Sequence, residues 1–157
     1  MPTLDELDAR LLLVLVDQPR ISIVELARRL GVVRATAQAR LDRLVARGVL
    51  RGQEPSVEPT AIGYPVLAFT TLETSQGDLE GLVEHLRGVP EVLEVHTISG
   101  PGDVLCRVVA RSNQHLQEVI ASMLQGPSTT RASTHIALST PVAPRSSPLL
   151  RAAADLR

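Results

Sequence analysis

The sequence predicts an α+β chain: an N-terminal winged helix-turn-helix over residues 1–59, a linker at 60–65, a C-terminal ferredoxin-like βαββαβ sandwich domain over 66–140 and a tail at 141–157. Three observations predict it. Apolar residues recur at helical spacing through three short segments that end before Gly48. Beyond Pro65, short apolar or alternating runs take turns with amphipathic ones in the order β-α-β-β-α-β. Glycine or proline punctuates most of the changes, at Gly31, Gly48, Gly63, Gly88, Gly100 and Gly126.

The first helix is predicted over Leu4 to Val16, with apolar residues at 4, 7, 11, 12, 14 and 15. Asp17-Gln18-Pro19 ends it, because proline disfavours helical geometry in the residue before it. Ser22 with Glu25 three residues on reads as a capping box that starts a short helix, Ile23 to Leu30. Val24, Leu26, Ala27 and Leu30 are its partly buried residues, and Gly31 is its C-cap. After a two-residue turn, a third helix runs from Arg34 to Arg47 with Ala37, Leu41, Leu44 and Val45 inward, and Gly48 stops it. Two short strands, Val49 to Gly52 and Ser56 to Glu58, complete the wing.

Thr60 to Pro65 reads as a linker. Strands are then predicted at Val66–Leu72, Val92–Ser99, Val104–Ala110 and Ala132–Thr140, and helices at 77–87 and 113–125. Such a unit packs two helices on one face of a four-stranded antiparallel sheet. The opposite face is read as apolar too, and a bare apolar face of that size calls for a second copy of the chain, so a homodimer or larger assembly is expected. The tail begins rich in proline and serine and turns helix-prone from Leu149 to Leu156, either mobile or clasping a neighbour.

Charge narrows the function. From Arg20 to Gln53 there are eight arginines against Glu25 and Asp42, a net of +6. From Glu54 onward seven arginines face eleven acids, a net of −4. A basic segment joined to an acidic one suggests that only the first meets a polyanion. Tyr64 and Phe69 are the whole aromatic complement, too few for the stacking platforms of single-strand and RNA readers, so duplex DNA is the better fit.

Other classes are disfavoured. Cys106 stands alone, which excludes an internal disulfide and a cysteine zinc site. His85, His96, His115 and His135 lack metal spacing, no serine sits in a nucleophile elbow, and no phosphate loop follows a strand. No enzyme and no cofactor is expected. No apolar run reaches the ~18 residues of a membrane helix. The acidic opening Asp5, Glu6, Asp8 does not read as a secretory signal, so a cytoplasmic protein of the bacterial nucleoid is expected.

On the third helix the core takes 37, 41, 44 and 45, leaving 34, 35, 38, 39 and 42 outward. The N-terminal part of a recognition helix reaches base edges. Arg34 suits guanine and Gln38 suits adenine, each through paired hydrogen bonds, and Ala35 suits a thymine methyl. Arg40, Arg43 and Arg47 are assigned to phosphate or to local pairs with Asp42, and Arg28 and Arg29 to backbone phosphate.

The order of these elements resembles the Lrp/AsnC family of feast/famine regulators. The residues that carry the likeness are Leu4-Asp5-Glu6-Leu7-Asp8, Arg20-Ile21-Ser22, Glu25 to Gly31, Arg40 to Leu44, Gly48-Val49-Leu50 and the turn Gly100-Pro101-Gly102-Asp103. The likeness runs from about residue 4 to 140 and implies a transcriptional regulator with a small-molecule domain. Two features depart from the family pattern: Val33 stands where a capping serine is usual, and Pro101 and Gly102 fill a turn that often carries an aromatic.

In that turn, amides at Gly100 and Gly102 are candidates to hold the α-carboxylate of an amino-acid effector and Asp103 its α-ammonium, with Thr134 a further candidate; a plain hairpin turn is the other reading. Two further readings of the chain stay open: a low-specificity architectural DNA-binding protein, and an amino-acid-binding regulatory subunit of an enzyme.

Overall fold

The computed structural model describes residues 4–50, 57–75, 78–127 and 129–155. The chain divides into two units, Met1–Pro55 with Val142–Arg157, and Ser56–Pro141.

Asp5 opens the first unit. Its carboxylate accepts the Asp8 N–H at 2.8 Å, and the Asp8 carboxylate lies 3.5 Å from the Asp5 N–H, a reciprocal cap that starts α1, Glu6–Asp17. Ser22 Oγ accepts the Glu25 N–H at 3.2 Å and starts α2, Ile23–Leu30. The capping box predicted here forms only in its serine half, because the Glu25 carboxylate turns to Arg28 and Arg29. Gly31 ends α2 at φ 70°, a conformation that costs glycine nothing. The third helix, α3, spans Arg34–Ala46 and starts from Val33 without a side-chain cap.

Leu11, Leu12, Leu26, Leu30 and Leu44 form the core of this unit. Each leucine so buried contributes about 1.5–3 kcal/mol. Two residues leave the predicted core. Val24 and Val45 are exposed, Val45 at 51%, because Ile23 and Leu44 occupy the inward positions beside them. The predicted wing, Val49–Gly52 and Ser56–Glu58, centres on residues 51–56, which lie outside the described residues.

The first element of the second unit is a single 3-10 turn at Pro59–Ile62, which overlaps the start of the predicted linker, 60–65. Its elements follow as β1 (Val66–Thr74), α4 (Leu79–Arg87), β2 (Val92–Thr97), β3 (Val104–Ala110), α5 (Asn113–Met123) and β4 (Thr129–Ile136). The sheet order is β2-β3-β1-β4, antiparallel throughout. This is the predicted ferredoxin-like sandwich. Ala68, Thr70 and Leu72 of β1 and Val104, Cys106 and Val108 of β3 face α4 and α5, with Leu82, Leu86, Leu116, Val119 and Met123.

Two expectations for this unit are corrected. The last strand runs 129–136 rather than 132–140; its start, Thr129-Thr130-Arg131, is polar because β4 is an edge strand, and Leu138 lies beyond it, fully exposed. The face away from the helices is not uniformly apolar. Leu67, Phe69 and Leu105 share it with the Arg107–Glu94 ion pair (2.8 Å), His96, Ser133 and His135, since each alternates with a helix-facing neighbour.

The tail forms α6, Ser147–Asp155, which packs on α1 of its own chain and adds Leu150 to the leucine core. Among the described residues no helix is long and apolar enough to cross a membrane, and no group of three or more His, Cys, Asp or Glu could hold a metal ion.

Candidate nucleic-acid interface and effector turn

The α3 helix presents Arg34, Ala35, Gln38, Ala39 and Asp42 to solvent, while Ala37 and Leu44 are buried beneath them. Gln38 Nε2 donates to Asp42 Oδ1 at 2.8 Å, one turn further on. Arg34 and Arg47 are exposed and form no ion pair with another described residue.

The other two arginines within α3 are engaged. Arg40 and Arg43 do not pair with Asp42, as the sequence allowed. Asp42 lies on the outer face, whereas both arginines reach back to the start of α1. Arg40 Nη1 bonds Asp5 and lies 2.9 Å from Asp8 Oδ1; Arg43 Nη2 lies 2.9 and 2.8 Å from the two Asp8 oxygens. The Asp8 side chain is 1% exposed, against 25% for Arg40 and 45% for Arg43. The Arg40 hydrogen bond holds the Asp5 carboxyl below its ordinary value.

On α2, Arg28 grips Glu25 through Nε at 2.7 Å and Nη2 at 2.6 Å, and Arg29 Nε adds a contact at 3.1 Å. These bonds, Arg28 first, pull the Glu25 carboxyl down to about 2. Sequence reasoning missed Asp5 and Asp8 as partners of α3. The visible signal is two acids three residues apart at the first helix start and two arginines three residues apart on the third; a separation of 32–35 residues hides the match.

The turn between β2 and β3 brings Gly100, Gly102 and Asp103 to the end of β1. Gly100 and Gly102 have φ of 120° and 89°. A Cβ at Gly102 would fall 2.2 Å from Thr71 Cγ2, so only glycine fits. The Asp103 N–H donates to Leu72 O at 2.9 Å, and Asp103 Oδ2 accepts the Thr74 N–H at 2.7 Å. One carboxylate oxygen of Asp103 therefore already ties the turn to β1. Thr134 is not brought to this turn: its hydroxyl meets that of buried Thr70 at 3.0 Å, on the helix side of the sheet, opposite Thr71.

With this geometry in place, two family models account for most of the chain. Residues 4–51 match a winged helix-turn-helix DNA-binding model, and residues 67–147 match the Lrp/AsnC ligand binding domain. The chain belongs to the Lrp/AsnC family of transcriptional regulators.

This Lrp/AsnC chain is 32% identical over 117 residues, 74% of each chain, to an uncharacterised HTH-type transcriptional regulator of Pyrococcus abyssi. It is 30% identical over 128 residues to the HTH-type transcriptional regulator AldR of Mycolicibacterium smegmatis, covering 80% of this chain and 75% of AldR. Its fold superposes on E. coli AsnC with a TM-score of 0.85 at 27% identity, covering 92% of this chain and 99% of AsnC. A Neisseria meningitidis transcriptional regulator solved with L-methionine has the same fold, with a TM-score of 0.82 at 23% identity over 90% of this chain and 94% of that one.

Proposed function

We propose that this Lrp/AsnC regulator binds duplex DNA sequence-specifically through α3 and is modulated by an amino acid or similar small effector held in its C-terminal unit. The carrying observation is the outward face of α3, where Arg34, Ala35 and Gln38 stand exposed in its first turns within a helix-turn-helix of DNA-binding type. Arg34 has the paired donors that read a guanine edge, and Gln38 the donor and acceptor that read an adenine edge. Arg47 at the far end of α3 meets phosphate, with Arg28 and Arg29 of α2 contacting the backbone once Glu25 yields them.

The division of labour we propose follows the two units. Residues 1–59 read DNA, 60–65 link, and 66–140 bind effector and pair with a second copy through the mixed sheet face; residues 141–157 support the DNA unit through α6. The chain acts in the cytoplasm, without a cofactor and without catalysing a reaction. Its relatives are named as transcriptional regulators, which supports this.

Gly100 and Gly102 supply the effector turn, and Asp103 has one oxygen left for an ammonium after bonding Thr74. The ligand-binding family model and the L-methionine held by the Neisseria regulator support an amino-acid effector. A thermal-shift screen of the full chain against the twenty amino acids, run beside native mass measurement, tests this part. No shift with any of them defeats it.

For DNA, the test is binding to a duplex selected by the wild-type chain from a random pool, against unselected random duplex. Arg34→Ala lowers affinity for the selected site by about 1–3 kcal/mol and relaxes specificity there. Equal loss on both duplexes defeats the base-reading assignment, and equal binding of both duplexes by the wild type makes the protein an architectural binder.

A further inference from the structure

Four charged side chains join the start of α1 to the middle of α3: Asp5 and Asp8 on one side, Arg40 and Arg43 on the other. Asp8 is the centre of this node. It is buried, and both its oxygens are occupied by guanidinium groups at 2.8–2.9 Å. A buried carboxylate persists only with such partners, so the node is held strongly in one geometry. Arg40 and Arg43 lie three residues apart, on one side of α3, away from Gln38 and Asp42.

We infer that Asp8 is a positioning residue for DNA binding, which fixes the seating of α3 on α1 and withholds Arg40 and Arg43 from the phosphate backbone. The inference rests on the DNA-binding reading above. It changes the charge that α3 offers to DNA. Four arginines belong to α3 and its C-cap, but two are neutralised by acids of α1, leaving Arg34 and Arg47 as its free cations among the described residues. Specificity gains from this arrangement. Phosphate contacts bind every sequence alike, so withholding two arginines lowers random binding, while a fixed α3 keeps Arg34 and Gln38 aimed at base edges.

The experiment measures salt dependence with the full chain, on a duplex selected by the wild-type protein from a random pool and on random duplex. In Asp8→Asn the amide keeps one acceptor oxygen but no charge, so Arg43, half exposed and left with only Asp5 at 3.7 Å as an acidic neighbour, is released to phosphate. The log-log salt slope then steepens by about 0.9, the increment for one more neutralised phosphate. Affinity for random duplex rises and the ratio of selected to random affinity falls, by roughly tenfold. An unchanged slope and ratio overturn the inference. So does a parallel loss of both affinities with loss of helical signal, since that is what a merely structural acid would give.

Arg43→Ala keeps the inference testable should Asp8→Asn fail to fold, because Arg40 still satisfies Asp8. Its slope stays at the wild-type value, whereas Arg47→Ala flattens its slope by about one unit. A flattened slope in Arg43→Ala shows that this arginine touches phosphate and overturns the proposal. Failure of the wild-type chain to bind either duplex is a separate result, which strikes the DNA reading itself.

Discussion

The hydroxyls of Thr70 and Thr134 meet at 3.0 Å across β1 and β4, with Thr70 fully buried beneath the helices. Each is the other's polar partner in an otherwise apolar layer. Thr70→Val costs about 0.5–1.5 kcal/mol, because it strands the second hydroxyl. The double variant Thr70→Val/Thr134→Val costs less than the sum of the singles, a coupling readable in a double-mutant cycle of urea midpoints. Strictly additive losses would show that the two hydroxyls do not interact. An effector-induced thermal shift, by contrast, is unchanged in Thr134→Val, since this side chain faces away from the Gly102 turn.

Gly102 is the most constrained glycine of the candidate effector turn. A side chain there meets Thr71 Cγ2 at 2.2 Å and is forced into the left-handed region at φ 89°. Strain and overlap together make Gly102→Ala cost about 2 kcal/mol or more. Gly100→Ala, with open space around its Cβ, incurs backbone strain alone and costs less. Denaturant unfolding of the two variants gives the ranking, and a reversed order refutes it.

The C-terminal helix supports the unit that carries α3. Leu150 packs on the same leucine core as Leu11 and Leu44. Leu150→Ala therefore destabilises that unit by about 1–3 kcal/mol, the range for a partly buried leucine whose site collapses in part. Hydrogen exchange resolves the effect to α1, with β1 and β3 protected as before. Unaltered exchange in α1 would mean that α6 does not hold this position in solution.

Acid weakens the α2 ion pairs before the fold is lost. Arg28 and then Arg29 keep the Glu25 carboxyl near 2, below its ordinary value of 4.5. A depressed folded value means that the ion pairs contribute fully above about pH 4.5 and fade as pH falls toward about 2. Arg28→Ala reduces the acid sensitivity of the urea midpoint in this window. Because the group is exposed, added salt reduces it as well. A wild-type midpoint equally acid-sensitive in high salt excludes these pairs as its cause.

Several elements were legible in the sequence because their signals are local. Ser22 before Ile23, Gly31 after Leu30 and Gly48 after α3 mark helix ends within three residues of the chain they control. The β-α-β-β-α-β order follows from similar punctuation and was found as predicted. The polar edge strand β4 was misplaced by three to four residues, since an edge lacks the apolar run that marks a buried strand. Val24 and Val45 were assigned inward because a two- to four-turn helix leaves its rotation uncertain by one residue.

The sequence by itself determined the kinds of element, their order, and the outward residues Arg34, Ala35 and Gln38, for helical periodicity and turn chemistry act over a few residues. Only the tertiary structure decided which charges are free: that Asp8 holds Arg40 and Arg43, that Asp103 is bonded to Thr74, and that Thr134 faces Thr70. Those pairings join segments 29 to 64 residues apart. Ion pairs and hydrogen bonds depend on distance in space, and nothing in local spacing reports which distant groups the leucine core and the sheet register bring within 3 Å.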